Sequence, residues 1–147
     1  MTNYQICKAS VEYLEDILNL ENQYGKEVYS KNSIISMFNY DYYHTYIMLI
    51  DNKVIGYVSA TIIVDECNLL KIIVDKNYQN NGYGKILLKY LVDICKSNAV
   101  DKIFLEVRKD NVIAKSFYQN FGFKKESERI GYYDGVDAEI FWYYIND

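Results

Sequence analysis

The chain has 147 residues, of which 50% are hydrophobic and 24% are charged, and its formal net charge is −4. This composition excludes a disordered chain, and the length fits one globular domain, residues 1–147, with a single core. The sequence has no apolar run as long as a membrane span, no basic and apolar leader, and no basic stripe of the kind that binds nucleic acid.

The first forty residues predict one strand and two helices. Residues 4–9 have the pattern of a strand, and Ser10 is a suitable N-cap for a helix that runs to about Gln23. Residues 33–39 predict a second, shorter helix after a loop that contains Gly25.

The middle of the chain predicts three strands. Residues 46–50 and 54–64 are apolar, β-branched runs joined by Asp-Asn-Lys, a pattern typical of a hairpin. Residues 68–74 form the next apolar run, after a turn at residues 65–66. We expect each of these strands to pair with its neighbour along the chain.

From Gly84 onward the pattern alternates between helices and strands. Apolar residues at helical spacing follow Gly84, and residues 102–107 are a near-continuous apolar run, as expected for a strand covered on both faces. Asp110 or Asn111 would cap a further helix that ends at Gly122. Residues 123–130 and 138–145 predict two closing strands. The order βααβββαβαββ predicts one α/β domain with a mixed sheet.

Residues 79–84, Gln-Asn-Asn-Gly-Tyr-Gly, lie between a predicted strand and a predicted helix. The first N–H groups of a helix lack intrahelical partners and attract phosphate, and glycines let the backbone approach a ligand. A hairpin turn at Asn81-Gly82 is disfavoured because the following pattern is helical. A dinucleotide fingerprint would need glycine at Leu87, and a P-loop would need glycine at Gln79 and a hydroxyl residue at Ile86. The segment therefore predicts a pyrophosphate cradle of another kind.

Several motifs give this loop a family context. Residues 73–84 (Ile-Val-Asp-x-x-Tyr-Gln-x-x-Gly-Tyr-Gly) resemble the cofactor loop of the GNAT superfamily of N-acetyltransferases. The chain further resembles the bacterial ribosomal-protein-alanine N-acetyltransferases, through residues 105–111 (Leu-Glu-Val-Arg-x-x-Asn), 117–123 (Phe-Tyr-x-x-Phe-Gly-Phe), 129–133 (Arg-x-x-Tyr-Tyr) and Asp137-Ala138. The resemblance covers residues 71–138, and the first 66 residues match only in the order of elements.

The resemblance implies acetyl-CoA as the acyl donor and no metal. The strand before the loop would offer backbone groups to the pantetheine amides, the loop backbone would hold the pyrophosphate, and Asn111 would bond the pantetheine arm. Asn80 and Asn81 stand where such enzymes often have Arg or Lys, and Lys76 where proline is frequent, so we expect weaker cofactor contacts and a looser loop. The implied cofactor-binding residues are Ile72, Ile73, Val74, Gln79, Asn80, Asn81, Gly82, Tyr83, Gly84, Lys85 and Asn111.

Acetyl transfer to an amine needs a base for the amine, a donor for the oxyanion and an acid for the departing thiolate. The resemblance implies Glu106 as the general base, acting through a bridging water, and Tyr118 as the general acid. A backbone N–H of residues 72–74 would be the oxyanion donor. Judged from the residues alone, a glutamate near a strand end is more often solvated or ion-paired, and any one of 17 tyrosines is more often a packing residue.

The acceptor implied by the resemblance is the N-terminal α-amine of a protein, a ribosomal small-subunit protein with N-terminal alanine. Residues 1–66 carry four basic and nine acidic side chains, and residues 67–147 carry twelve and eleven. The acidic first half would either attract a basic acceptor or be a solvated surface. The alternatives are acetylation of a small amine (a polyamine or an amino sugar) or of a lysine side chain, and a non-catalytic CoA-binding sensor. We expect a monomer or a weak homodimer.

Cysteine and histidine usage disfavours other chemistry. Cys7, Cys67 and Cys95 are odd in number and widely spaced, which predicts reduced thiols in the cytoplasm rather than a disulfide frame or a zinc site. His44 is the only histidine, and no Gly-x-Ser-x-Gly elbow accompanies it, so a serine hydrolase is disfavoured.

Overall fold

A computed structural model describes residues 3–24 and 28–145, and the predicted loop residue Gly25 lies outside them. Within these residues the chain forms seven strands and four α-helices in the order βααβββαβαββ, which confirms the predicted order. The elements are β1 (Gln5–Lys8), α1 (Leu14–Asn22), α2 (Lys31–Asn39), β2 (Tyr43–Ile50), β3 (Lys53–Ile63), β4 (Glu66–Val74), α3 (Tyr83–Ser97), β5 (Lys102–Arg108), α4 (Val112–Phe121), β6 (Lys124–Tyr133) and β7 (Val136–Tyr144).

The strands form one mixed sheet in the order β1-β2-β3-β4-β5-β7-β6. Neighbouring strands are antiparallel except β4 and β5, which are parallel and are connected through α3. A parallel pair needs such a crossover, whereas the other neighbours are joined by hairpins or by longer returns. The predicted mixed sheet is confirmed.

Helices cover both faces of the sheet. Because successive side chains of a strand point to opposite faces, Tyr57 and Val58 of β3 belong to different apolar clusters. Tyr57 packs with Ile17 and Leu20 of α1, and Val58 packs with Leu88 of α3. Among residues 3–24 and 28–145, none of the helices combines the length and the apolar character needed to cross a bilayer.

The helix starts differ in detail from the sequence prediction. The Ser10 hydroxyl donates to the Glu12 carboxylate at 3.1 Å, and one 3₁₀ turn separates Ser10 from α1. In α2 the N-cap is Ser30, whose Oγ accepts the Ser33 N–H at 3.1 Å, so this helix begins two residues earlier than predicted. For α4 the cap is Asn111 rather than Asp110, as described with the site.

One prediction about β5 is wrong. The run was expected to be covered on both faces, but only Ile103, Leu105 and Val107 are buried, while the alternating residues are partly exposed. Glu106 belongs to this second face. At the end of β5 this second face borders a groove, which Glu106 and Arg108 line, so no continuous layer covers it there.

Candidate functional site

A groove opens in the middle of the sheet, between β4 and β5. The two strands pair from Glu66 with Lys102 to Asn68 with Phe104, and no further pairing joins them within the described structure. Beyond these residues the groove has a volume of about 1120 Å³. It is lined by the second half of β4, the loop after it, the start of α3, the end of β5 and α4.

A β-bulge in β4 accompanies this separation. Ser59 of β3 faces Lys71 and Ala60 faces Leu69, so Leu70 is an extra residue with no partner in the register with β3. A bulge bends its strand and increases the local twist. It therefore contributes to the separation of β4 from β5 at the point where the groove begins.

The segment between β4 and α3 forms one end of the groove. The buried carboxylate of Asp75 accepts the Asn77 N–H at 2.9 Å and caps a 3₁₀ turn over Lys76–Tyr78. The helix α3 then begins after Gly82, whose φ of +81° lies in the left-handed region that suits glycine. Because residues 82–85 line the groove, the first turn of α3, with its unpaired N–H groups and positive dipole end, lies at the groove wall.

Gly84 of α3 lies against Phe117 of α4. A Cβ atom built on Gly84 would lie 3.4 Å from two ring atoms of Phe117 and 3.8 Å from Cγ2 of Val74. One methyl group would fit at ordinary contact distance, but a branched side chain would press on the Phe117 ring or project into the groove.

The groove brings together most of the residues predicted to bind a cofactor. Asn81 is the exception, because its side-chain amide turns back to donate to the carbonyls of Tyr78 (3.1 Å) and Gln79 (3.0 Å). Asn111 is on the wall, where its Oδ1 caps α4 by accepting the Ala114 N–H at 3.1 Å. The residues that line the groove are Ile72, Ile73, Val74, Gln79, Asn80, Gly82, Tyr83, Gly84, Lys85 and Asn111.

Glu106, the predicted base, also lines the groove. Its Oε1 lies 3.3 Å from Nη2 of Arg129 on β6, and its side chain is 22% exposed whereas that of Arg129 is 52% exposed. The carboxylate is thus both ion-paired, as glutamates in such positions often are, and accessible from the groove. The guanidinium of Arg129 also lies 5.3 Å from the Tyr132 ring.

Tyr118, the predicted acid, lies on α4 and lines the same groove. Its ring packs edge-on against Phe117 and Phe123, with centroid distances of 5.3 and 5.6 Å. Burial raises the pKa of Tyr118 to about 12, because an ionised phenolate would lose its hydration there. The phenol is therefore protonated at neutral pH.

The groove is also lined by three residues that were not predicted as site residues: Tyr24, Tyr29 and Lys71. Tyr29 donates its hydroxyl to the Leu70 carbonyl at 3.2 Å, and burial is the main cause of its raised pKa. Lys71 lies 3.5 Å from the buried carboxylate of Glu21 and 4.5 Å from the Tyr29 ring centroid. A lone lysine in an apolar strand was a usable signal for Lys71, whereas the two tyrosines belong to no motif.

Arg108 adds a further charged pair to the β5 side of the groove. Its guanidinium donates to both carboxylate oxygens of Asp110, at 3.0 and 3.1 Å, and lies 5.6 Å from the Tyr133 ring.

In the part of the chain that the structure describes, no group of three or more His, Cys, Asp or Glu side chains is arranged to hold a metal ion.

Sequence comparison relates this chain to acetyltransferases. Residues 12–123 match the family model described as "Acetyltransferase (GNAT) family". The [ribosomal protein bS18]-alanine N-acetyltransferase of Escherichia coli K12 is 33% identical over 88 residues, which are 60% of this chain and 60% of that protein. The part of this chain that matches in sequence thus spans less than two thirds of the length of that relative. A Bacillus subtilis relative, provisionally named for the same activity, is 26% identical over 99% of both chains.

Comparison with solved structures also finds acetyltransferases, and these matches cover nearly the whole chain. The crystal structure of the ribosomal-protein-S18-alanine N-acetyltransferase from Escherichia coli has a TM-score of 0.90 and 27% identity, covering 99% of this chain and 96% of that one. Arabidopsis thaliana NAA60, solved in complex with acetyl-CoA, has a TM-score of 0.89 at 16% identity, covering 99% of this chain and 100% of that one. The second likeness shows a shared fold, in a protein that holds acetyl-CoA.

Proposed function

Because this chain belongs to the acetyltransferase (GNAT) family, we propose that it transfers the acetyl group of acetyl-CoA to the N-terminal α-amine of a protein. The proposed acceptor is a ribosomal small-subunit protein with N-terminal alanine, by analogy with the relatives named for that activity. One observation carries the proposal: the first turn of α3, Glu106 and Tyr118 all line a single groove. We further propose that residues 1–147 act as one catalytic domain.

The groove offers acetyl-CoA a place for each of its parts. The first turn of α3 would receive the pyrophosphate through backbone N–H groups and the helix dipole. The groove-side edge of β4 beyond Asn68 is not paired with β5, so its backbone groups are suited to bond the pantetheine amides. Asn111 would present its amide NH₂ group to the same arm, since its Oδ1 is used by the Ala114 N–H.

The chemistry requires the amine to lose a proton as it attacks the thioester carbonyl carbon. Glu106 would accept that proton through a bridging water, a C–N bond would form, and the C–S bond to CoA would break. Arg129, 3.3 Å from the carboxylate, would hold Glu106 in a defined position. A backbone N–H of residues 72–74 would stabilise the oxyanion of the tetrahedral intermediate.

Tyr118 would assist the departure of the CoA thiolate. Its pKa of about 12 keeps its proton available, but it exceeds the roughly 8.5 of an ordinary thiol. Complete proton transfer from Tyr118 to the sulfur is therefore unfavourable. We expect the phenol to stabilise the sulfur by a hydrogen bond as the C–S bond breaks, with the final proton of the thiol drawn from solvent.

Proton energetics favours a chain-terminal amine over a lysine. An α-amine has a pKa of about 7.7 to 8.0, so part of it is neutral at pH 7.5, whereas a lysine amine at about 10.4 is almost fully protonated. One carboxylate acting through water suits the first amine better. Among the tyrosine rings that line the groove, Tyr29 and Tyr133 would border a peptide acceptor.

The test is an acetylation assay with a matched pair of peptides. Both have N-terminal alanine followed by basic residues including lysine, and one has its terminus blocked. With acetyl-CoA and the protein, mass spectrometry should detect one acetyl group on the terminus of the free peptide and none on the blocked one. Label on lysine side chains, or faster turnover of spermidine, would overturn the proposed acceptor. Absence of a CoA-induced rise in melting temperature would overturn the proposed acyl donor.

A further inference from the structure

The C-terminal end of α1 is attached to the loop that leads into α3. Gln23 makes two hydrogen bonds there: its Nε2 donates to Oδ2 of Asp75 at 3.1 Å, and its Oε1 accepts the Lys76 N–H at 2.9 Å. One side-chain amide therefore contacts both the cap of the 3₁₀ turn and the first residue of that turn.

Tyr24 adds a second attachment to the same loop. Its hydroxyl donates to the Val74 carbonyl and accepts a hydrogen bond from Nε2 of Gln79. The ammonium group of Lys76 lies 5.3 Å from the centroid of its ring. The tyrosine thus bridges the last residue of β4 and the first residue of the 79–84 segment.

These contacts have consequences for a buried carboxylate. Asp75 is 5% exposed, and its two oxygens accept from Asn77 and from Gln23 respectively. Removal of the Gln23 amide would leave Oδ2 of Asp75 without this donor, and an unsatisfied buried acceptor is costly. The 3₁₀ turn would then lose one restraint at its cap and another at the Lys76 N–H.

We propose that Gln23 and Tyr24, named here the α1 clip, are positioning residues for the cofactor loop. They hold residues 74–79 so that the 79–84 segment and the first turn of α3 keep the geometry that receives the CoA pyrophosphate. The proposal rests on the proposed function, since it assumes that CoA binds at this loop. The clip follows directly after the last residue of α1. The affinity for CoA would therefore depend on how the C-terminal end of α1 is placed.

The test is the affinity of CoA for the parent protein and for Gln23→Ala, Tyr24→Phe and Asn22→Ala, measured by titration calorimetry. We expect Gln23→Ala to raise Kd about tenfold and Tyr24→Phe about threefold. Each change removes two hydrogen bonds, but Gln23→Ala takes a donor from the buried Asp75 carboxylate, whereas the bonds of the Tyr24 hydroxyl are exposed. Asn22→Ala, at the preceding exposed position of α1, is the matched control and should leave Kd unchanged. In turnover assays, KM for acetyl-CoA should rise in both clip variants with kcat unchanged.

A double-mutant comparison with Lys76→Pro tests the hydrogen bond between Gln23 and the Lys76 backbone. Lys76→Pro removes the backbone N–H that donates to Gln23. Proline should be tolerated here, because position 76 is the first of a 3₁₀ turn and the preceding residue, Asp75, has an extended ψ of 135°. In the Lys76→Pro background, Gln23→Ala should raise Kd by only about threefold, since one of its two hydrogen bonds is already absent. An undiminished tenfold effect in that background would overturn the bond to Lys76.

Hydrogen exchange at the Lys76 amide gives a direct readout. The amide should exchange at least about tenfold faster in Gln23→Ala than in Asn22→Ala, because its acceptor has been removed. Equal CoA affinity and equal exchange in folded clip variants would overturn the α1 clip while leaving the proposed function intact. Failure of the parent protein to bind CoA would instead overturn the proposed function.

Discussion

The β4 wall of the groove offers a ligand mainly backbone groups, whereas the β5 wall offers charged side chains. On β4 the exposed edge runs along Ile72, Ile73 and Val74, and the one charged residue there, Lys71, is paired with buried Glu21. On β5 the accessible face carries Glu106 and Arg108. Under the proposed function, the first wall would bind a long ligand arm and the second would carry the proton chemistry.

The comparison has a physical basis in how each strand is covered. β4 is bonded to β3 along its whole length apart from the bulge at Leu70, so backbone groups of its other edge face the groove. Two carbonyls of β4, those of Leu70 and Val74, accept hydrogen bonds from tyrosine hydroxyls. β5 is bonded to β7 instead, from Lys102 to Arg108, and its end, with Glu106 and Arg108, lines the groove. Substitutions should therefore affect turnover on the β5 side and binding on the side of β4 and its loop.

The largest expected effect is that of Glu106→Gln. The amide keeps the shape of the side chain but cannot accept the proton of the amine, so we expect kcat to fall by about a thousandfold. CoA affinity should stay within about twofold of the parent value, since the change removes chemistry and not a contact to the donor. Steady-state kinetics with the N-terminal alanine peptide, together with calorimetry, measure both. Parent-like turnover would remove Glu106 from the reaction.

Tyr118→Phe should have the next largest effect. Loss of the hydroxyl removes the hydrogen bond to the departing sulfur, and we expect kcat to fall by about a hundredfold. Because burial raises the pKa of Tyr118 to about 12, the phenol stays protonated as pH rises, and its ionisation reduces the rate only near that value. The kcat profile of the parent should therefore show no alkaline decline from this group between pH 8 and about 10. A decline in that range that is absent from Tyr118→Phe would contradict this assignment.

The sequence predicted the backbone features of the site better than its side-chain contacts. The 79–84 loop was recognisable because a helix start after an apolar strand, with glycines at fixed positions, is a local pattern. The structure has α3 begin at Tyr83, directly after Gly82 with its positive φ. Asn81 could not be excluded from the groove in advance, since its hydrogen bonds to Tyr78 and Gln79 depend on the folded loop.

Contacts between distant parts of the chain were not predictable. Tyr24 and Tyr29 reach β4 across about 40 to 50 residues of sequence, and their hydroxyls bond the Val74 and Leu70 carbonyls. Periodicity and spacing do not predict such a contact, because a loop tyrosine that makes it has the same neighbouring sequence pattern as one that does not. The Glu106–Arg129 pair is similar, since β6 lies next to β7 and not next to β5 in the sheet.

Substitution of Gly84 sharpens the comparison on the binding side. Gly84→Val should weaken CoA binding by at least about tenfold, because its branched methyl groups would press on the Phe117 ring or enter the groove. Gly84→Ala is the matched control: its Cβ would lie 3.4 Å from that ring, an ordinary contact. Its affinity should stay within about threefold of the parent, with a small rise in melting temperature from the better helix former. Equal affinities for both variants would mean that the ligand does not approach this turn.

The smallest expected effect is that of Arg129→Gln, and it tests whether the β5 wall depends on β6. An ion pair whose guanidinium is 52% exposed is screened by water and contributes little by itself. If its role is to hold the Glu106 carboxylate in position, kcat/KM for the peptide should fall about three- to tenfold, with CoA affinity unchanged. Lys89→Gln is the control, because it breaks the exposed pair with Asp93 on α3 (4.0 Å) without touching Glu106. Arg129→Lys should recover part of the loss, since a lysine keeps the charge but not the planar donor group. Equal kinetics for Arg129→Gln and Lys89→Gln would mean that Glu106 is positioned by β5 alone, and that the charged wall of the groove does not extend to β6.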